Sequence, residues 1–136
     1  MTLTIGKVAS LFKVTADTLR YYEREGLISP TAKSSGGYRL YDDKAVRRVR
    51  FIKQAQHCGF TLTEIRDLLT LRGSNRARCR DIRRVALEKK LELEAKVKAM
   101  RSISKALDRL IAACGDGSRR VGDCPIVAAL EKGQLR

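Results

Sequence analysis

Four cysteines, at positions 58, 79, 114 and 124 of 136 residues, are the side chains best suited to specific chemistry. They are too few and too scattered to staple a small secreted domain. In a chain kept in a reducing compartment, such thiols more often serve metal or redox chemistry. Cys114 and Cys124 flank a loop of Gly, Asp, Ser and Arg, and Cys124 directly precedes Pro125, a residue suited to the first position of a helix. Cys79, between Arg78 and Arg80, is a third candidate donor, although taken alone it reads as readily as packing. Three thiolates without a nitrogen ligand suit a soft ion. Asp116 or Asp123 is available as a fourth donor for cadmium or zinc. Cys58, just before Gly59 and Phe60, reads as a core residue, and His57 as a surface one.

The elements that must hold these thiols follow from periodicity. From Cys79 to Cys114 the sequence contains neither Gly nor Pro, which predicts one long helix. Leu93, Val97, Met100, Ser104, Leu107, Ile111 and Cys114 fall at alternating spacings of four and three, a heptad seam widened by Ile103 and Leu110. Glu92 with Lys96, and Glu94 with Lys98, are favourable pairs on the solvent side. Arg101, Lys105 and Arg109 form a solvated stripe. At 1.5 Å per residue the two ends of such a helix lie roughly 52 Å apart, so Cys79 and Cys114 cannot share an ion within one chain. The helix also cannot bury its stripe against a small head alone, and its natural partner is a second copy. A short amphipathic helix through Ile126, Val127 and Leu130 follows Cys124.

Upstream, Thr4 caps a helix carrying Val8 and Leu11, and Phe12-Lys13-Val14 turns the chain. Thr15 caps a second helix carrying Leu19 and Tyr22, which Gly26 ends. This is a helix-turn-helix pattern. Ser34 to Gly37 is a turn cluster, and Tyr38-Arg39-Leu40-Tyr41 alternates in strand fashion, so a short hairpin forms a wing beside it. Asp42 or Asp43 opens a further helix with Val46, Val49, Ile52 and Gln56 on one side, which Gly59 ends. Thr61 to Glu64 is a capping box opening another helix, with Ile65, Leu68 and Leu69 on its inner face.

Composition narrows the function. Lys plus Arg number 29 against 15 Asp plus Glu, a net charge of +14. Residues 1–75 hold 13 basic and 7 acidic side chains and the remainder 16 and 8, so both parts are basic. This balance favours a polyanionic partner, since neutralising phosphates releases counterions. With 43% hydrophobic but only 5% aromatic residues and no Trp, the core is modest and gains from a partner subunit. No run approaches the roughly 20 apolar residues of a membrane span, and the first ten residues lack a signal peptide's apolar stretch. A cytoplasmic protein without a membrane partner is expected. No Cys-x-x-Cys, His-rich ligand set or paired catalytic carboxylates suggests an enzyme.

The assembled motifs resemble the MerR family of metal-responsive transcriptional regulators, in its divalent heavy-metal branch. The resemblance is carried by Ile5-Gly6-Lys7-Val8-Ala9, by Thr18 through Leu27 (TLRYYEREGL), and by Gly37-Tyr38-Arg39-Leu40-Tyr41. Phe51-Ile52, Gly59-Phe60-Thr61-Leu62 with Glu64-Ile65, and the cysteines at 79, 114 and 124 extend it across nearly the whole chain. It implies a mainly α fold: a winged helix-turn-helix head in residues 1–75, and a dimerisation helix in 76–114 forming an antiparallel coiled coil. A metal-binding loop and C-terminal helix would occupy 115–136. In that arrangement Cys79 of one subunit meets Cys114 and Cys124 of the other, giving about one divalent thiophilic ion per subunit. Thr15, Thr18, Arg20 and Tyr21 would enter the major groove. Tyr38, Arg39 and Tyr41 of the wing would hold the backbone, with Lys33 and Arg47 as further phosphate contacts.

The resemblance also implies a homodimer on promoter DNA, repressing without metal and activating RNA polymerase with it by bending and untwisting the promoter. The controlled genes would confer heavy-metal resistance or efflux. Cysteine at 79 resembles the sensors of mercury, cadmium, lead and zinc, whereas the monovalent copper sensors carry serine there. Gly115 and Arg119 stand where two-zinc sites have ligands, and the Cys-Pro-Ile-Val stretch points first to mercury. A thiol-redox or copper-type sensor of the same fold is the alternative.

Overall fold

The computed structural model describes residues 2–30, 32–33, 35–37 and 39–133. The chain divides into two compact units, residues 1–85 and 86–136.

In the first unit, helix starts lie where side chains can take the backbone N–H groups that a first turn leaves without partners. α1 (Ile5–Leu11) starts at Thr4, whose hydroxyl accepts from Lys7 N at 3.4 Å. α2 (Ala16–Arg24) starts at Thr15, which accepts from Thr18 N at 3.1 Å. Asp42 caps α3 (Asp43–His57) by accepting from Ala45 N at 2.8 Å. α4 (Leu62–Arg72) opens with the reciprocal capping box: Thr61 N donates to Glu64 Oε1 at 2.8 Å, and Glu64 N to Thr61 Oγ1 at 3.2 Å. Gly26 and Gly59 leave α2 and α3 with φ of 74° and 91°, a region in which any Cβ is strained.

The wing is larger than the expected hairpin. β1 (Leu3–Thr4), β2 (Ala32–Lys33) and β3 (Arg39–Tyr41) form an antiparallel sheet in the order β1-β3-β2. Leu3 lies opposite Tyr41 and Lys33 opposite Arg39. A two-residue strand has too short a period to announce itself in sequence, so β1 was legible only once β3 was in place.

Val8, Leu19, Leu27, Tyr41, Val49, Ile52 and Ile65 are fully buried in one cluster that joins α1, α2, β3, α3 and α4. Each contributes on the order of 1.5–3 kcal/mol of burial. Tyr22 is also buried, and its hydroxyl donates to Gln56 Oε1 at 2.9 Å, so Gln56 faces inward as the α3 periodicity predicts. Cys58 corrects an expectation: it is exposed. α3 ends there, with the Cys58 N–H bonded back to Gln54 and Ala55 carbonyls, and the turn at Gly59 delivers Phe60 to the core instead.

α5 runs unbroken for 36 residues, Cys79–Cys114, between the limits set by the absence of Gly and Pro. In the second unit, Leu93, Val97, Met100, Leu107 and Ile111 along it are exposed. Lys96 pairs with Glu92 at 3.0 Å as expected, but Glu94 pairs with Lys90, four residues before it, at 3.1 Å rather than with Lys98. Glu92 also accepts from the buried Lys89 at 2.9 Å, and the two lysines hold its carboxyl below the usual carboxylate range. A single 3-10 turn (Val121–Asp123) leads into α6 (Pro125–Glu131), with proline at its first position. Among the described residues no helix is long and apolar enough to cross a membrane.

Candidate nucleic-acid interface and metal centre

The candidate DNA-reading residues gather at α2. Thr15 and Thr18 hydroxyls lie 3.0 Å apart at its first turn, so capping engages both while Thr15 stays exposed. Arg20 is paired with Asp17, one turn earlier, at 2.7 Å. Asp17 is largely exposed and Arg20 partly so, and the pair contributes little to stability. The Tyr21 ring is exposed, tilted 52° to that of Tyr22, with the Arg24 guanidinium 5.8 Å from its centre. Lys13, in the turn before α2, has a φ of 55°, unusual for a residue with a Cβ.

The wing residues divide. Lys33 is exposed on β2 and Tyr38 lies outside the described residues. Arg39 is half-exposed, with its Nε 2.7 Å from Glu23 Oε2. Tyr41 corrects an expectation. Its ring is fully buried, its hydroxyl donates to Glu23 Oε1, and it is therefore a core residue rather than a backbone contact. Alternation along β3 puts Arg39 and Tyr41 on one face of the sheet, the face that meets the end of α2. Arg47 is exposed on α3, in an open concavity shared with Arg50, Phe51, Gln54 and Arg72.

The two thiols of α5 stand at its opposite ends. Cys79 is exposed at the first residue of α5, and Cys114 is half-buried at its last. Cys124 is half-buried, at the cap of α6, and makes no side-chain capping bond there. Among the described residues no three His, Cys, Asp or Glu side chains are grouped to hold a metal ion. Asp116 accepts from Ser118 N at 2.9 Å, and hydrogen bonds from Ser118 hold its carboxyl below the usual range. Asp123 is exposed in the 3-10 turn.

Residues 3–71 match the MerR HTH family of regulatory proteins, and residues 46–110 match the MerR DNA-binding family. The chain belongs to the MerR family. Its members are DNA-binding transcription factors, not enzymes. The chain is 37% identical over 132 residues to the HTH-type transcriptional regulator HmrR of Sinorhizobium medicae, covering 96% of this chain and 88% of that one. It is 36% identical over 132 residues to the mercuric resistance operon regulatory protein of Bacillus cereus, covering 97% and 99%. Among solved structures, the transcription regulator PbrR691 from Ralstonia metallidurans CH34 in complex with lead(II) superimposes with a TM-score of 0.81 at 30% identity, covering 94% of this chain and 98% of that one.

In this MerR-family head several arginines serve the fold, which the charge count could not reveal. Arg66 donates to the Glu25 carbonyl at 2.8 Å and lies 3.3 Å from its carboxylate, tying α4 to the end of α2. Arg48 donates to the Leu27 carbonyl. Arg50 stacks 5.7 Å from the Phe12 ring and Arg72 5.6 Å from that of Phe51. Glu23 is the residue that sequence reasoning missed. An acidic side chain one residue from the end of the candidate recognition helix was the available signal.

Proposed function

We propose that this MerR-family chain is a cytoplasmic, metal-responsive transcriptional regulator. It works as a homodimer that represses a heavy-metal resistance or efflux promoter without metal, and activates RNA polymerase there with metal by bending and untwisting the DNA. The inducer is a divalent thiophilic ion, mercury first, then cadmium, lead and zinc. In this reading residues 1–75 bind DNA, 76–114 pair the subunits as an antiparallel coiled coil, and 115–136 hold the metal.

The observation that carries the reading is the placement of the thiols. Cys79 opens α5 and Cys114 closes it, so a three-thiolate site takes Cys79 of the partner subunit together with Cys114 and Cys124. The donor set fits a soft ion: three sulfurs, no imidazole, and an Asp116 already engaged by Ser118. Bound there, about one ion per subunit would tie each chain to its partner. Support comes from relatives of matching length, one named for mercuric resistance and one solved with lead(II). On the DNA side, Thr15, Thr18, Arg20 and Tyr21 enter the major groove, and Lys33, Tyr38, Arg39 and Arg47 hold phosphates.

The test is titration of the reduced, metal-free protein with mercury, cadmium, lead, zinc and copper(I), following thiolate-to-metal charge-transfer absorbance beside Cys79→Ser. The expected result is a divalent ion saturating at about one per subunit, with the spectrum lost in the variant. Tight binding of copper(I) alone, or a variant that behaves like the parent, removes Cys79 from the site. A copper-type or thiol-redox sensor then takes its place.

A further inference from the structure

One carboxylate joins the two parts of the head that face DNA. Glu23 sits next to the last residue of α2, and its two oxygens take two residues of the same strand: Oε2 the Arg39 Nε at 2.7 Å, and Oε1 the Tyr41 hydroxyl. The contact is well covered on one side only. The Glu23 side chain is 13% exposed and the Arg39 side chain 38%. The carboxylate is therefore sequestered while part of the guanidinium is not. An arginine offers five N–H donors, and engaging Nε leaves the terminal nitrogens to meet an outside acceptor. Tyr41 anchors the other end, since its ring is fixed in the core.

We propose that Glu23 is a positioning residue that locks the wing strand to the recognition helix through Arg39 and Tyr41. It sets the offset between base-reading groups on α2 and the phosphate-facing edge of Arg39. The proposal rests on the reading that α2 and the wing form the DNA face. A fixed offset matters most for a protein that discriminates by DNA shape, because a loose wing would follow any groove width and lose the energetic difference between sequences. Glu23 need not touch DNA to do this, and as an anion it would be repelled by it. Arg39 carries the contact and Glu23 sets its direction. Tyr41 resists displacement because moving it would open the core.

The experiment uses the full-length protein and two duplexes, one selected by the wild-type chain from a random pool and one with that sequence scrambled. Affinity for both is measured for Glu23→Ala, Glu23→Gln, Arg39→Ala and the Glu23→Ala/Arg39→Ala double variant, with melting temperature in parallel. Glu23→Ala is expected to lose about tenfold of the preference for the selected duplex, the loss of one charged hydrogen-bond pair. Glu23→Gln, which keeps an acceptor for Tyr41 but no charge for Arg39, should fall between. The losses from Glu23→Ala and Arg39→Ala should not add, because one acts through the other. Should the alanine variant fail to fold, the glutamine variant decides. Unchanged preference in a folded variant, or losses that add fully, overturns the proposal. A fall in affinity that only tracks melting temperature, equally for both duplexes, also overturns it by making the role structural. Arg20→Ala separates the two readings: if it too leaves preference intact, the assignment of the DNA face fails with the clamp.

Discussion

Tyr41 shows how one side chain can be misplaced by a sound local rule. A tyrosine in a basic, alternating strand looks like a phosphate contact, yet the pairing of β3 with β1 turns it into the core. Burial chiefly, and Glu23 beside it, push its hydroxyl well above the ordinary tyrosine range, while Arg39 and Arg20 pull the other way. The protonated form is the one the fold favours. Its contribution is whole below the unfolded value of about 10 and is lost as pH rises beyond it. Tyr41→Phe is therefore expected to cost on the order of 1–2 kcal/mol near neutral pH in urea unfolding, from the lost bond to a carboxylate. It should also flatten the fall in stability above about pH 10. An alkaline fall as steep as the parent's would transfer that dependence to other groups, Tyr22 first, since burial raises it too.

Among the helices, α4 and α5 illustrate two different sources of order. α4 begins at a capping box whose two bonds are both made, and Thr61→Ala removes the acceptor for Glu64 N. A loss of about 1 kcal/mol by chemical denaturation is expected, with DNA affinity following only as far as stability does. α5 instead exposes much of its apolar stripe. Leu107→Glu is expected to leave helix content nearly unchanged by circular dichroism at high protein concentration while shifting sedimentation toward monomer. A dimer of parental strength would show that this stripe is not the pairing seam.

For the assembled protein, the arrangement of thiols makes a sharper demand than any single substitution. If each site takes Cys79 from one subunit and Cys114 with Cys124 from the other, then neither a Cys79→Ser homodimer nor a Cys114→Ser/Cys124→Ser homodimer binds the ion tightly. A mixed dimer of the two holds one complete site. Co-expression with separate affinity tags should recover about half the parental metal content, and charge-transfer absorbance checks it. Recovery of none would overturn the site shared between subunits.

Helix positions, caps and the limits of α5 were legible in sequence because they depend on neighbours three or four residues apart: Thr15 with Thr18, Thr61 with Glu64, and an unbroken run from Cys79 to Cys114. The family was legible from local motifs for the same reason. The separation of Cys79 from Cys114 likewise follows from helix rise alone. Tertiary structure alone decided what depends on distant partners. It added β1 to the wing, buried Tyr41, left Cys58 on the surface, and committed Arg48 and Arg66 to backbone carbonyls of the α2 turn. It also brought Glu23 to Arg39, sixteen positions further along the chain. Sequence spacing measures contacts along a helix, but a pairing between a helix end and a strand is set by how the sheet docks, and no local period encodes that.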